Sequence, residues 1–277
     1  MLGLIICPWH NHLPLHLTIC VAAALGACEL WNIFAKDHKL LSKKFIVGCV
    51  IVICVVATLS AILPDLTGIT IPGGQEVVTF VYILTILSIL FWEAFHEKEF
   101  KDSIDRIVSS VFIITYVGFL LTFISRMTVW KIGGQNITIP CISIFLLMVI
   151  FTDSIAWFFG ILLGKSTRGI VKASPNKSLV GFIGGFIGSV GIGIVCYYIW
   201  KDLFEGGLWK LVITGILIAF SSIVGDLAES VFKRSADVKD SGTLIPGRGG
   251  VLDSIDSILM SAPIFYLTFS IFFGPFN

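Results

Sequence analysis

Eight stretches of about 20 apolar residues, recurring along nearly the whole chain, constrain this sequence more than anything else in it. A run of that length at 1.5 Å per residue spans the hydrocarbon core of a bilayer. With no water there to satisfy N–H and C=O groups, such a run must be helical. The stretches fall near residues 13–35, 45–63, 77–95, 104–124, 140–163, 179–200, 210–232 and 252–273. The expected fold class is therefore all-α: a polytopic integral membrane helical bundle with about eight transmembrane helices. The opening MLGLIIC is too short to span and reads as an interfacial stretch or part of a short extra helix. Composition agrees, because 277 residues that are 56% hydrophobic, 13% charged and of mean hydropathy +0.96 offer too little polar surface for a soluble domain. No separate soluble domain, linker or internal repeat is visible. The chain reads as one transmembrane domain, 1–277, with N-terminal helices over 1–139 and catalytic helices and cytoplasmic loops over 140–277.

The cations set an orientation. Fifteen Lys and Arg follow spans one, three, five and seven, against four in the other connections. The positive-inside rule then puts the first set of loops in the cytoplasm and both termini outside. A net charge of +1, with no basic stripe and no aromatic RNA-binding motif, gives no sign of a nucleic-acid partner. Seven scattered Cys without a CxxC pair predict neither structural disulfides nor a zinc site. The start lacks a basic region and is followed by Pro and His, which argues against a cleavable signal peptide. Glu29 and Glu93 read as interfacial carboxylates that snorkel or pair with a nearby Lys, although an intramembrane carboxylate can also be functional. His10, His12 and His16 have no Cys or carboxylate beside them and read as interfacial residues.

The densest polar run in this apolar chain is Gly225 to Ser257. On a helix, Asp226, Glu229, Ser230 and Lys233 share one face, and Asp253, Asp256 and Ser257 share another after the loop. Between them lie Lys233, Arg234, Lys239, Asp240, Arg248 and the glycines Gly247, Gly249 and Gly250. Carboxylates hold Mg²⁺, Lys and Arg hold phosphate oxygens, and glycine lets backbone N–H groups approach an anion. Basic cytoplasmic loops and charged helix ends are commonplace in membrane proteins. Here, however, the carboxylates fall partly inside apolar segments, where an ionised group is costly and marks function.

The fifth span adds Asp153, within Thr152-Asp153-Ser154, as either a polar contact between helices or part of a site. The loop after it holds Ser174-Pro175-Asn176-Lys177-Ser178. Ser178 is placed to cap the next helix, so free N–H groups and Lys177 would together attract a phosphate. That helix opens with Gly181, Gly184, Gly185 and Gly188, small residues that permit close helix packing.

The run Ser230-x-Phe232-Lys233-Arg234-x4-Lys239-Asp240-x-Gly242-x2-Ile245-Pro246-x-Arg248-Gly249-Gly250-Val251-x-Asp253-Ser254-Ile255-Asp256 resembles the signature of the phosphatidate cytidylyltransferases, or CDP-diacylglycerol synthases. Upstream, TDSIAWFFGILLGK and SPNKS are similar to the family's ND-x-x-AY-x-x-G-x-x-x-GK and SPKKT segments, and weaker similarity reaches Gly26-Ala27-Cys28-Glu29. The chain departs from the pattern at Arg248, where the family usually has His, and at Ser254, where it usually has Arg.

The resemblance implies transfer of CMP from CTP to phosphatidic acid for phospholipid synthesis, with Mg²⁺ as cofactor. It implies Asp226 and Asp253 as metal ligands, with Asp256 one turn further on. Lys233, Arg234, Lys239 and Asp240 would be catalytic, with the three cations holding the triphosphate or leaving pyrophosphate. Asp153, Ser174, Lys177, Ser178, Ser230, Arg248, Gly249 and Gly250 would bind substrate. CTP, phosphatidic acid and the bilayer are the expected partners, a homodimer is left open, and the expected location is a bacterial inner membrane with the site facing the cytoplasm. Two other readings compete: a CTP-dependent polyprenol or phytol kinase, and a transporter with Asp153 and Glu29 on its path. The long signature disfavours the first. The clustering of polar residues toward one side, with no paired broken helices, disfavours the second.

Overall fold

The computed structural model describes residues 12–69, 71, 74–204 and 207–274. The opening MLGLIIC and His10 lie outside the described residues. The helices are α1 (Leu13–Phe34), α2 (Lys43–Thr67), α3 (Glu76–His96), α4 (Ser103–Ile113), α5 (Leu120–Met127), α6 (Thr138–Leu162), α7 (Leu179–Ile199), α8 (Leu208–Ser235) and α9 (Leu252–Phe273). A π-helical segment, Ile114–Phe119, joins α4 to α5, so that Ser103–Met127 forms one span. Among the described residues, eight helical segments are long and apolar enough to cross a membrane. They coincide with the eight expected stretches to within a few residues. Large apolar side chains such as Leu17, Phe80, Trp157, Ile187 and Leu267 are exposed along these helices. A water-soluble surface does not tolerate that, whereas lipid does. The protein is an all-α, multi-pass membrane protein. The one sheet among the described residues is a two-stranded hairpin, β1 (Lys131–Ile132) with β2 (Gln135–Asn136).

The chain divides into two compact units. The first comprises residues 1–128 and 235–255, and the second 129–234 and 256–277. Residues 235–255, the loop before α9 and the start of that helix, thus group with the N-terminal helices.

In the first unit, α2 packs against α1, α3, α5 and the π-helical segment. A Cβ on Gly118 would lie 3.2 Å from Val50 Cγ2, so the π-helical segment sits close on α2. Polar groups within these apolar helices are paired. His16 is fully buried: its Nδ1 meets Ser125 Oγ at 3.2 Å and its Nε2 meets Thr128 Oγ1 at 3.3 Å. His12 is buried too. Both lie at the start of the first span, and hydroxyls near the end of the fourth supply the partners of His16 that water would have supplied. Glu93 does pair with a cation, but with Arg106, whose Nε donates to it at 3.0 Å.

In the second unit, α6 and α7 lie against each other along their length. The expected glycine seam is the reason. A Cβ on Gly188 would stand 2.5 Å from Phe151 O, and one on Gly184 would stand 2.9 Å from Phe159 Cβ. Any larger side chain would force the helices apart. Ser178 caps α7, accepting from Gly181 N at 3.1 Å. Along α8 and α9, Ser221 Oγ donates to Ser261 Oγ at 3.2 Å. Gly225 lets their backbones touch, since a Cβ there would lie 2.5 Å from Asp256 O.

Candidate functional site

The second unit contains a cavity of about 350 Å³ between α6, α7, α8 and the loop before α7. Its polar lining is Asp153, Asn176, Lys177, Ser178 and Asp226 with Thr152, and its apolar lining includes Ala156, Trp157, Ile161 and Phe182. The loop is held in shape by backbone bonds, Gly169 N to Pro175 O at 3.0 Å and Lys177 N to Ser174 O at 3.1 Å. These bonds deliver Lys177 to the cavity, where its Nζ forms an ion pair with Asp226 Oδ2. Asp153, one turn inside α6 from Trp157, accepts from Ser222 Oγ at 3.2 Å and Ser257 Oγ at 3.5 Å. Asp256 lies across the Gly225 contact from Asp226 and is buried, with Ser257 N donating to its Oδ1 at 2.6 Å. The charges of Asp153, Asp226 and Asp256 are near enough to act on one another, and Lys177 acts on Asp153 and Asp256 as well.

These are hard oxygen donors, the kind Mg²⁺ prefers. Among the described residues no three Asp, Glu, His or Cys side chains converge tightly enough to chelate an ion alone. Mg²⁺ does not require that, because it keeps waters and substrate phosphates around one or two carboxylates. The ammonium of Lys177 on Asp226 also marks that carboxylate as a place for positive charge. The residues present fit the ion.

The first unit holds the loop 235–251 and Asp253. Asp253 Oδ2 accepts from Ser241 N at 2.9 Å, Ser241 Oγ at 2.8 Å and Gly250 N at 2.7 Å. Glu29, on α1, is only 9% exposed and reaches the same place. Its Oε1 accepts from Val251 N at 3.0 Å, and its Oε2 accepts from Leu252 N at 2.8 Å and Ser241 Oγ at 3.0 Å. Glu29 is thus no snorkelling or Lys-paired carboxylate, as its sequence position suggests. It satisfies N–H groups at the start of α9, which have no partner within their own helix. The glycines answer to this. Gly249 has φ 108°, and a Cβ on it would lie 2.5 Å from Asp253 Oδ2. A Cβ on Gly250 would overlap Ser241 Oγ and the Glu29 carboxylate.

The remaining expected site residues are placed as follows. Lys233 is paired with the buried Glu229 at 2.6 Å. Arg234 is exposed, with Nε donating to Ala173 O at 3.4 Å. Lys239, Asp240 and Arg248 are exposed on the loop. Ser230 lies one turn beyond Asp226 on α8, and Ser174 lies in the turn before Lys177, outside the cavity lining. Ser222, Ser241 and the true role of Glu29 were missed, and only the carboxylate of Glu29 within an apolar run could have signalled one of them.

A multi-pass helical membrane protein with an acidic and basic cavity at the mouth of a glycine-packed helix pair is the class that fold and site define. Comparison with known proteins narrows it. The chain matches the cytidylyltransferase family over residues 1–272, and it belongs to that family. It is similar to the phosphatidate cytidylyltransferase of Thermotoga maritima, 30% identical over 220 residues that cover 78% of this chain and 77% of the relative. It is 43% identical to the Staphylococcus haemolyticus protein of that name over 118 residues, 43% of this chain and 44% of the relative. With the Haemophilus influenzae protein of that name it shares 38% identity over 133 residues, 46% of each chain. The matched stretch thus spans less than half the length of the staphylococcal and Haemophilus relatives.

Proposed function

We propose that this protein transfers CMP from CTP to phosphatidic acid, giving CDP-diacylglycerol and pyrophosphate. The observation that carries the reading is the cavity's mixed walls: Lys177, Asp226 and Asp153 line it together with Trp157 and Ile161, which are also exposed along α6. A ligand with a phosphate head and an apolar body suits those walls. The names of the relatives support the same chemistry.

A phosphate monoester is already a nucleophile near neutral pH, so the reaction needs positioning and charge neutralisation more than a strong base. The attacking phosphatidate oxygen would displace pyrophosphate from the α-phosphorus of CTP. Asp226 and Asp256 would hold Mg²⁺, and Asp253 is proposed as a further ligand from its place in the signature. When bound, Mg²⁺ would supply neutralisation of the phosphate charge. Lys177 would turn from Asp226 to a phosphate oxygen once a substrate brings the negative charge. Ser178 itself lines the cavity, and its cap holds the start of α7 beside it. Arg234, Lys239 and Arg248, exposed around the loop, would draw the triphosphate from solution. The excess of Lys and Arg in the loops that follow spans five and seven supports a cytoplasmic location for this chemistry, and the bacterial relatives support a bacterial inner membrane.

The test uses purified protein in detergent with Mg²⁺ and phosphatidic acid, and CTP labelled on the α- or the γ-phosphate. Entry of the α label alone into lipid, with pyrophosphate released, is the expected result. Entry of the γ label with an added prenol would make the protein a kinase, and no label from either would favour transport.

A further inference from the structure

Glu29 lies 212 to 223 residues from its partners, and nothing in the proposed chemistry uses it. We infer that Glu29 is a positioning residue that fixes the loop 235–251 and orients Asp253, acting through Ser241. The inference rests on the reading that this loop and Asp253 belong to the reaction site.

Three observations carry it. First, the two oxygens of Glu29 take the N–H groups of Val251 and Leu252, so one side chain from α1 stops the start of α9 and the end of the loop from moving independently. Second, Ser241 Oγ stands between two carboxylates, 3.0 Å from Glu29 Oε2 and 2.8 Å from Asp253 Oδ2. A hydroxyl has one proton to donate. Its direction therefore depends on both acids, and a change in charge at Glu29 is felt at Asp253. Third, the backbone is shaped to admit Glu29. A Cβ on Gly242 would lie 2.7 Å from Glu29 Oε1, and one on Gly250 would overlap the same carboxylate. Two glycines of the polar loop thus leave room for the side chain that holds it. Groups that orient a metal ligand are commonly worth about 10- to 100-fold in metal affinity or activity.

The experiment compares wild type with Glu29→Gln, Glu29→Asp and Ser241→Ala, each purified in detergent. Two readouts are taken: amide hydrogen exchange across 239–253, and CMP transfer as a function of Mg²⁺. In Glu29→Gln an amide NH₂ confronts the backbone donors. Exchange at 250–252 is expected to rise at least about tenfold while that of α6 and α7 stays unchanged. Its kcat is expected to fall about 10- to 100-fold with a higher Mg²⁺ half-saturation. Glu29→Asp keeps the charge and should recover part of both effects. Ser241→Ala leaves Glu29 bound to the backbone and cuts only the link to Asp253. It should shift the Mg²⁺ dependence with little change in exchange at 251 and 252, and it decides the matter if Glu29→Gln does not fold. A merely structural role would lower the yield of active protein and leave kcat and Mg²⁺ dependence per active molecule untouched. That result, or wild-type exchange in Glu29→Gln, would overturn the inference. Wild type without CMP transfer would instead overturn the proposed reaction, and the exchange data would still decide whether Glu29 holds the loop.

Discussion

Glu29 in one unit, and Asp153 and Asp226 in the other, are all carboxylates on helices of a very apolar chain, yet their surroundings differ. Glu29 is met by backbone N–H groups and a serine hydroxyl within its own unit. Asp226 faces a cavity, shares it with Asp153, and is balanced by a lysine from a loop. Rigid backbone donors pin a carboxylate in one place and leave it little to gain from a ligand. A long flexible ammonium can be exchanged for another cation at small cost. The difference separates a carboxylate that maintains shape from one poised to bind, though both look alike in sequence.

Substitution at Asp226 puts that contrast under the greatest strain. Asp226→Ala is expected to lower kcat for CMP transfer on the order of a thousandfold, as befits a group that places charge at the transferring phosphate. Its thermal unfolding in detergent should stay near wild type. An Asp226→Ala protein with full Mg²⁺-dependent turnover would remove the binding half of the comparison.

Lys177→Ala should cost about a hundredfold in kcat/KM, because a charge-assisted contact to phosphate is lost. Lys177→Arg should recover part of it. Equal damage by both would mean that the lysine serves only to balance Asp226.

A third change tests whether the cavity depends on the helix pair beneath it. Gly188→Val pushes a side chain at Phe151 O and should cost about 1–3 kcal/mol in unfolding measurements. Binding of CTP should weaken with it. Unchanged stability would show that the seam can yield.

The smallest effect is expected from Ser222→Ala, which removes one of two hydroxyls on Asp153. About 1 kcal/mol, or roughly a fivefold change in KM, is the expected scale. A larger loss in kcat would move Asp153 from a supporting to a direct role.

The spans could be read directly from the sequence because crossing a bilayer needs about 20 apolar residues and little else competes with that requirement. The capping role of Ser178 and the packing of Gly184 and Gly188 were legible for a similar reason: each is a local pattern with a local cause. Asp153, Lys177 and Asp226 each stood out singly, but their meeting in one cavity depends on tertiary contacts that no spacing encodes. Glu29 was least legible. Its partners lie more than 200 residues away, and an isolated acid in an apolar helix carries no mark of what it will touch. The π-helical segment Ile114–Phe119 was invisible for another reason, since ITYVGF has the same apolar character as the α-helix on either side.

That segment also gives the fourth span one place where a change of length can be absorbed. Each residue added to or removed from an α-helix turns everything beyond it by about 100°. A π-helical stretch is a place where such an extra residue has been absorbed. Deleting a single residue between 114 and 119 would let the span close into uninterrupted α-helix with Ser125 and Thr128 still facing His16, whereas the same deletion in α5 before Ser125 would swing them away. In this membrane protein the segment is therefore the place in the span where one residue can be lost at least cost, while a one-residue change of length within α4 or α5 would rotate one half of the span against the other.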